Sequence, residues 1–266
     1  MSRPNALVLR APGINCERET FHALERAGAR SEYVHITKLL AEPGLLDRFE
    51  ILSVPGGFSY GDDIRSGTVL ATEMKARLGE RVMRFVDRGG LAFGICNGFQ
   101  VLVRLGLLPC TKAKLEEEVT LTHNLSNHYE CRWVTLRTEK SRCVFLPEGL
   151  TLRWPAAHGE GRLVAKTEET QQALVDEGFA AIRYVDADGS ATESYPANPN
   201  GTALGIAGLT NHNGRVLGVM PHPDRSYMPT HMPDWRRTQL EHGKLPEDGD
   251  GMIVFREMVK AAKAEA

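Results

Sequence analysis

The sequence predicts an α/β protein built on a mainly parallel central sheet with helices on its faces. Two patterns carry this expectation. Short apolar runs alternate with amphipathic helical patterns through the first 110 residues, and strands joined through helices imply right-handed crossovers between parallel neighbours. Turn-forming glycine, asparagine and proline punctuate the runs, so each apolar stretch is short enough to be a buried strand.

In chain order, residues 6–9 form a strand, 16–27 a helix capped by Asn15, 33–36 a second strand and Ile51–Val54 a third. A long helix follows over Thr68–Asp87, a fourth strand over Leu91–Ile95, and a helix over 99–107. Ligands of such sheets gather beyond the carboxyl ends of the strands, so the loops 11–15, 55–63 and the turn at Cys96 are expected to meet on one face. After residue 115 the texture becomes β-rich, in HYECRWVTLR and GLTLRWPAAHGEGRLVA, with one helical stretch at 168–178. The NHNG of 211–214 separates ALGIAGL from VLGVM as a hairpin turn. Residues 226–251 carry prolines, charges, Tyr227, Trp235, Arg236 and Arg237 with little periodicity, and 252–263 closes the chain as an amphipathic helix. The irregular segment follows the strand end at His222, which suits it to cover a site there or to contact a partner; a mobile surface loop is the plainer alternative. No repeat or composition break divides the 266 residues, so a single domain over 1–266 is expected.

Hydrophobic residues make up 42% and charged residues 25% of the chain, with a formal net charge of −2. That balance does not point to nucleic acid or an anionic membrane as the main partner. The apolar run in MSRPNALVLRAPG is too short for a signal peptide or membrane span. Five scattered cysteines, at 16, 96, 110, 131 and 143, form no C-x-x-C pair. They are expected to be reduced thiols of a cytoplasmic protein, with neither a disulfide framework nor a metal site.

The stretch LAFGICNGFQ, residues 91–100, carries the chemistry. A buried strand runs into G-I-C-N-G and then a helix, the shape of the sharp strand-to-helix turn that presents a nucleophile, with sulfur where serine is more usual. At a helix start the dipole and free N–H groups favour thiolate. A cysteine nucleophile benefits from a base, and the base from an orienting group. In VLGVMPHPDR, Pro223 pushes His222 toward extended geometry. In an extended segment His222 and Asp224, two apart, share a face. The glycines of PGGFSYGD expose N–H groups after the third strand; with the N–H of Asn97 they are suited to bind an oxyanion. Neither G-x-x-x-x-G-K-[ST] nor G-x-G-x-x-G occurs in the chain.

These residues together resemble the class I (triad-type) glutamine amidotransferases. Among these the resemblance is strongest to the glutaminase subunits of a purine-biosynthetic synthetase. It rests on PGINCERET, GGFSYGDD-IRSG, GICNGFQVLVRLGLLP, YECRWV, AHGEGR, NPNGTALGIAGLTN and VLGVMPHPDR, which run from residue 12 to 225. The resemblance implies a flavodoxin-like three-layer sandwich. It implies Cys96 as nucleophile toward the glutamine amide, His222 as proton shuttle and Asp224 as its orienting carboxylate. Gly57, Phe58 and Asn97 would supply the oxyanion hole and wall. Phe99, Gln100 and the run His158–Gly159–Glu160–Gly161 would line the glutamine pocket. It further implies no cofactor or metal in this subunit. A larger synthetase subunit would bring ATP, Mg²⁺ and formylglycinamide ribonucleotide, together with a small accessory subunit. Two positions depart from the family pattern: Asp224 stands where glutamate is commoner, and Asp63 where an aromatic residue is common.

Other candidates carry blander expectations. Cys16 is expected to be structural, Cys110, Cys131 and Cys143 inert, His123 and His128 solvated, and His212 a hairpin residue. The run 116–118 is a charged exposed stretch without a metal partner. A stand-alone cysteine hydrolase or peptidase of the same architecture is the alternative activity, and a catalytically dead regulatory module the third reading, opposed by the intact Cys96, His222 and Asp224.

Overall fold

A computed structural model describes residues 2–264. Its centre is a nine-stranded sheet of order β2-β1-β3-β4-β11-β10-β9-β6-β7. The first five are β2 (Arg30–His35), β1 (Asn5–Arg10), β3 (Ile51–Val54), β4 (Leu91–Ile95) and β11 (Val216–Val219). They pair in parallel throughout, with Val54 beside Gly94 and Ile95 beside Val219. The central strands are buried along their whole length and, Ser53 excepted, carry no polar side chain, as suits strands covered on both faces.

The two covering layers follow from the period-two alternation of β4. Phe93 meets Phe255 of α7 (Met252–Ala264) edge-on at 5.8 Å, and α7 packs beside α1 (Glu17–Ala27). Gly94 faces the opposite way, onto Gly98 and Leu102 of α4 (Asn97–Leu105), which packs beside α3 (Thr68–Asp87). Between β2 and β3 lie α2 (Ile36–Ala41) and a 3-10 turn at Pro43–Arg48.

The other half of the sheet is antiparallel: β10 (Ile206–Thr210), β9 (Ala180–Tyr184), β6 (Glu130–Thr138) and β7 (Thr151–His158). It curves so that its edge strand β7 returns to the carboxyl ends of the parallel strands, where the Pro155 carbonyl accepts the His222 N–H at 2.7 Å. A separate ribbon pairs β5 (Val119–His123) with β8 (Glu160–Ala165), and α5 (Glu168–Asp176) follows it.

Several boundaries differ from expectation. Asn15 does not cap α1; Cys16 holds the N-cap position and Asn15 Oδ1 instead accepts the Cys16 thiol proton at 3.2 Å. The second strand ends at His35, because Ile36 turns inward to begin α2. The fourth helix starts at Asn97, two residues early. Segment 226–251 is not wholly irregular: Trp235–His242 forms α6, with no buried residue. It is anchored by Arg153, whose guanidinium donates to both oxygens of Asp234 at 3.1 and 2.9 Å. Among the described residues no helix is long and apolar enough to cross a membrane.

Candidate active site

Three neighbouring strands end side by side and deliver the site. β3 runs into Pro55–Gly56–Gly57, β4 into Cys96, and β11 through Met220 and Pro221 into His222. The β1-end loop joins them, since the N–H groups of Asn15 and Cys16 both donate to the Gly56 carbonyl at 3.2 Å. A cleft of about 340 Å³, counting its open mouth, lies among these ends.

Cys96 occupies the apex of the β4–α4 turn with φ 51° and ψ −105°. A non-glycine residue there costs on the order of 1–3 kcal/mol, and the surroundings hold it: the Cys96 N–H donates to the Val219 carbonyl at 2.7 Å. The thiol is buried at the cleft wall and contacts the Ala157 carbonyl at 3.6 Å. No Cys96–His222 hydrogen bond occurs among the described residues; the two side chains line the same cleft.

His222 and Asp224 are both buried, and Nδ1 lies 3.1 Å from Asp224 Oδ1. Burial alone would depress the imidazole; the Asp224 carboxylate and then the Cys96 sulfur outweigh it and hold the His222 pKa well above its usual value. The shorter carboxylate at 224 therefore reaches the ring from the 3-10 turn Pro223–Arg225. The Thr20 hydroxyl approaches its other oxygen at 3.4 Å.

The oxyanion candidates separate. The amides of Gly57 and Asn97 carry no hydrogen bond among the described residues, whereas the Phe58 N–H is committed to the Gly13 carbonyl at 2.8 Å. Phe58 thus contributes its half-exposed ring to the wall and no free donor. The Asn97 side chain braces the loop: Oδ1 accepts the Ser59 N–H at 3.1 Å, and Nδ2 donates to Asp62 at 3.1 Å and Gln100 at 3.0 Å.

Gln100, Gly159 and Glu160 line the cleft, and Gln100 Nε2 donates to the Glu160 carbonyl. Phe99 does not line it. Its ring is buried against Gly218 of β11, where an added Cβ would stand 2.2 Å away, so Phe99 is a core residue under the site. No residue of 226–251 lines the cleft either.

Sequence reasoning missed Asn15, Asp62, Ser66, Tyr129, Ala157 and Arg225 in this lining. Asp62 pins the loop after Gly61 by accepting from Ser66 and the Gly67 N–H at 3.1 and 3.3 Å. Burial pushes the Asp62 carboxyl up. His158 bonds Asn124 Oδ1 through Nδ1 at 3.1 Å and is driven by burial down to about 3, so its ring is neutral. Cys16, expected to be structural, accepts from the guanidinium of Arg225 and lies within 4.8 Å of a His222 ring nitrogen. The one signal available was its place in a sheet-end loop. Cys110 and Cys143 are buried, with thiols pushed up by burial to about 11 and about 12, and His123 and His128 are exposed.

The sequence matches the CobB/CobQ-like glutamine amidotransferase domain over residues 3–260. The phosphoribosylformylglycinamidine synthase subunit PurQ of Dehalococcoides mccartyi is 44% identical over 99% of both chains. That of Thermus thermophilus is 40% identical over 82% of this chain and 88% of the relative. Among solved structures, a chain of PurLQS from Thermotoga maritima superposes with a TM-score of 0.72 at 32% identity, over 97% of this chain and 99% of that one. A GMP synthase component of Thermoplasma acidophilum, at 12% identity and a TM-score of 0.56 over 99% and 96% of the two chains, shares the fold alone. The chain belongs to the CobB/CobQ-like glutamine amidotransferase family and, within it, to the PurQ subunits of phosphoribosylformylglycinamidine synthase.

Proposed function

We propose that this protein is the glutaminase component of phosphoribosylformylglycinamidine synthase, with Cys96 as its nucleophile. The observation that carries the assignment of roles is the position of Cys96: a strained residue at the apex of a strand-to-helix turn, in one cleft with a buried His222–Asp224 pair. The Cys96 sulfur attacks the glutamine carboxamide carbon, and its proton passes to His222. The developing oxyanion is met by the free amides of Gly57 and Asn97. His222, its positive charge balanced by Asp224, gives the proton to the leaving nitrogen, and ammonia departs. Water, deprotonated by the same imidazole, then cleaves the thioester and releases glutamate. Gln100, Gly159 and Glu160 form the glutamine side of the cleft.

The ammonia passes to a larger synthetase subunit, which binds ATP, Mg²⁺ and formylglycinamide ribonucleotide and forms formylglycinamidine ribonucleotide; a small accessory subunit completes the complex. The lack of phosphate-loop and dinucleotide motifs in this chain supports that division of labour. The assembly is cytoplasmic, in keeping with five free cysteines. A glutamine-mimicking electrophile, followed by peptide mapping, tests the nucleophile. It labels Cys96 alone; label on Cys16 would overturn the assignment.

A further inference from the structure

Of the three buried thiols the reaction leaves unused, Cys16 alone lies beside the base. Cys16 is fully buried at the N-cap of α1. Its sulfur receives a hydrogen bond from Arg225 Nη2 at 3.0 Å and donates to Asn15 Oδ1 at 3.2 Å. Its sulfur also lies beside the His222 ring, within 4.8 Å of a ring nitrogen. One donor-type atom from each of Cys16, His222 and Asp224 lies within 4.8 Å of the others.

The same stretch of chain also grips the carboxylate. Thr20, one turn into α1, bonds the Cys16 carbonyl at 2.8 Å and approaches Asp224 Oδ2 at 3.4 Å. Gly56 keeps this arrangement tight. A Cβ added there would stand 3.3 Å from the Cys16 sulfur and 2.8 Å from His222 Cε1, so only a bare α-carbon lets the loop, the sulfur and the ring close together.

Two roles are excluded by the chemistry. Cys16 is a poor nucleophile, because burial pushes its thiol up and Asp224 adds to the rise, against the lowering effect of the nearby His222 ring. The Cys16–His222–Asp224 trio is also a poor cation site, since the Arg225 guanidinium already sits at the sulfur and Asp224 is engaged by His222 and Thr20.

We propose that Cys16 is a positioning residue for the base: clamped by Arg225, its sulfur forms a wall that, with Thr20 behind Asp224, holds the imidazole of His222 in its working orientation. An imidazole tied only through Nδ1 retains rotational freedom about that bond; a contact on a further part of the ring removes it. Groups that touch reacting atoms need such locked side chains to stay in productive geometry.

The proposal rests on the reading of Cys96 as nucleophile and His222 as its base. The test uses the protein in complex with its synthetase and compares Cys16→Ala and Cys16→Ser with the unaltered protein, with Cys96→Ala alongside. Cys16→Ala lowers glutamine-dependent kcat by about tenfold, a fraction of the effect of a full ångström of misplacement. KM for glutamine and synthesis from ammonium salts stay as they were. Cys16→Ser, which keeps a small polar group at the position of the sulfur, restores most of the loss.

The second readout is the pH dependence of Cys96 alkylation by iodoacetamide. The groups facing His222 are Cys16 from the β1-end loop, Cys96 from the β4–α4 turn, His158 from β7, Tyr129 ahead of β6, and Asp224 and Arg225 from its own turn. Loss of the sulfur removes one contact that favours the imidazolium. Less positive charge then stands beside Cys96, and the acid limb of alkylation moves to higher pH. An unchanged limb with unchanged kcat in Cys16→Ala overturns the proposal. So does a serine variant as impaired as the alanine one, which would mark a packing role only. Persistent glutaminase activity in Cys96→Ala would instead remove the reading on which the proposal stands.

Discussion

Gly98→Ala places one methyl group where two backbones already meet. An added Cβ would lie 1.8 Å from the Val54 carbonyl oxygen, 2.7 Å from its carbon and 3.2 Å from the Pro55 oxygen. Neither partner is a flexible side chain, so the start of α4 or the end of β3 must retreat by more than an ångström. Helix propensity works in the opposite direction, favouring alanine by about 1 kcal/mol. Overpacking of a close-packed interior costs about 1–3 kcal/mol and occasionally more, and a clash of backbone on backbone belongs at the upper end. A net loss of about 2 kcal/mol corresponds to about 4–8 °C in Tm for a domain somewhat smaller than this one. The catalytic effect is larger than the thermal one, because both displaced segments carry the site: β3 leads into Gly57, and α4 begins one residue after Cys96. Misplacement by about 1 Å costs about a hundredfold in rate. Thermal unfolding of the isolated chain and glutamine turnover in the assembled synthase measure the two effects. A Gly98→Ala protein with unchanged or raised Tm and full turnover would show that the two backbones separate freely at this contact.

Two further outcomes follow from the buried histidines. His222→Ala lowers glutamine-dependent kcat by about a thousandfold, and Asp224→Asn by at least tenfold less, since the carboxylate acts through one 3.1 Å hydrogen bond and a thiolate needs less assistance than an alkoxide; equal losses in well-folded variants contradict this order. His158 is neutral in the fold, with its pKa near 3, so the unfolded chain takes up a proton that the native state refuses. Its contribution to stability is therefore lost as pH falls from about 6.5 toward 3. His222, with its pKa raised, behaves oppositely: its contribution is present in acid and is lost as pH rises through its folded pKa. Urea unfolding between pH 7 and 4.5 should show a shallower decline for His158→Gln than for the unaltered protein; an identical slope would mean that His158 is not buried neutral.

The parallel half of the fold was legible because its signals are local. Ile51–Val54, Thr68–Asp87 and Leu91–Ile95 are apolar or amphipathic runs closed by glycine, proline or a polar cap, and they form elements with those same bounds. The antiparallel half was legible as strands but not as an arrangement. That β7 lies at the sheet edge and yet returns to hold His222 depends on pairings between residues far apart in sequence. The same limit applies to the site. Cys96, His222 and Asp224 announce themselves through their immediate neighbours. Tyr129, just ahead of the edge pair β6–β7, reaches the cleft through the curvature of the sheet, which leaves no mark in its own surroundings in the sequence; Arg225 shares the turn of Asp224, but nothing local shows that its side chain faces the cleft. Phe99 shows the converse: the resemblance implied a pocket residue, but the side chain turns to fill the space above Gly218, while Gln100, one helical turn from Cys96, faces the cleft. α6 escaped notice because its eight residues bury nothing, so no apolar stripe marks it.

Whether Cys96 generates ammonia for chemistry performed on another polypeptide is decided by one variant. Cys96→Ala is combined with the synthetase and supplied with ATP, Mg²⁺ and formylglycinamide ribonucleotide, and product is measured with glutamine or with ammonium salts as the nitrogen source. Product formation from glutamine disappears, while formation from ammonium salts continues at the unaltered rate. Loss of both activities together, or survival of the glutamine-dependent one, would contradict the assignment.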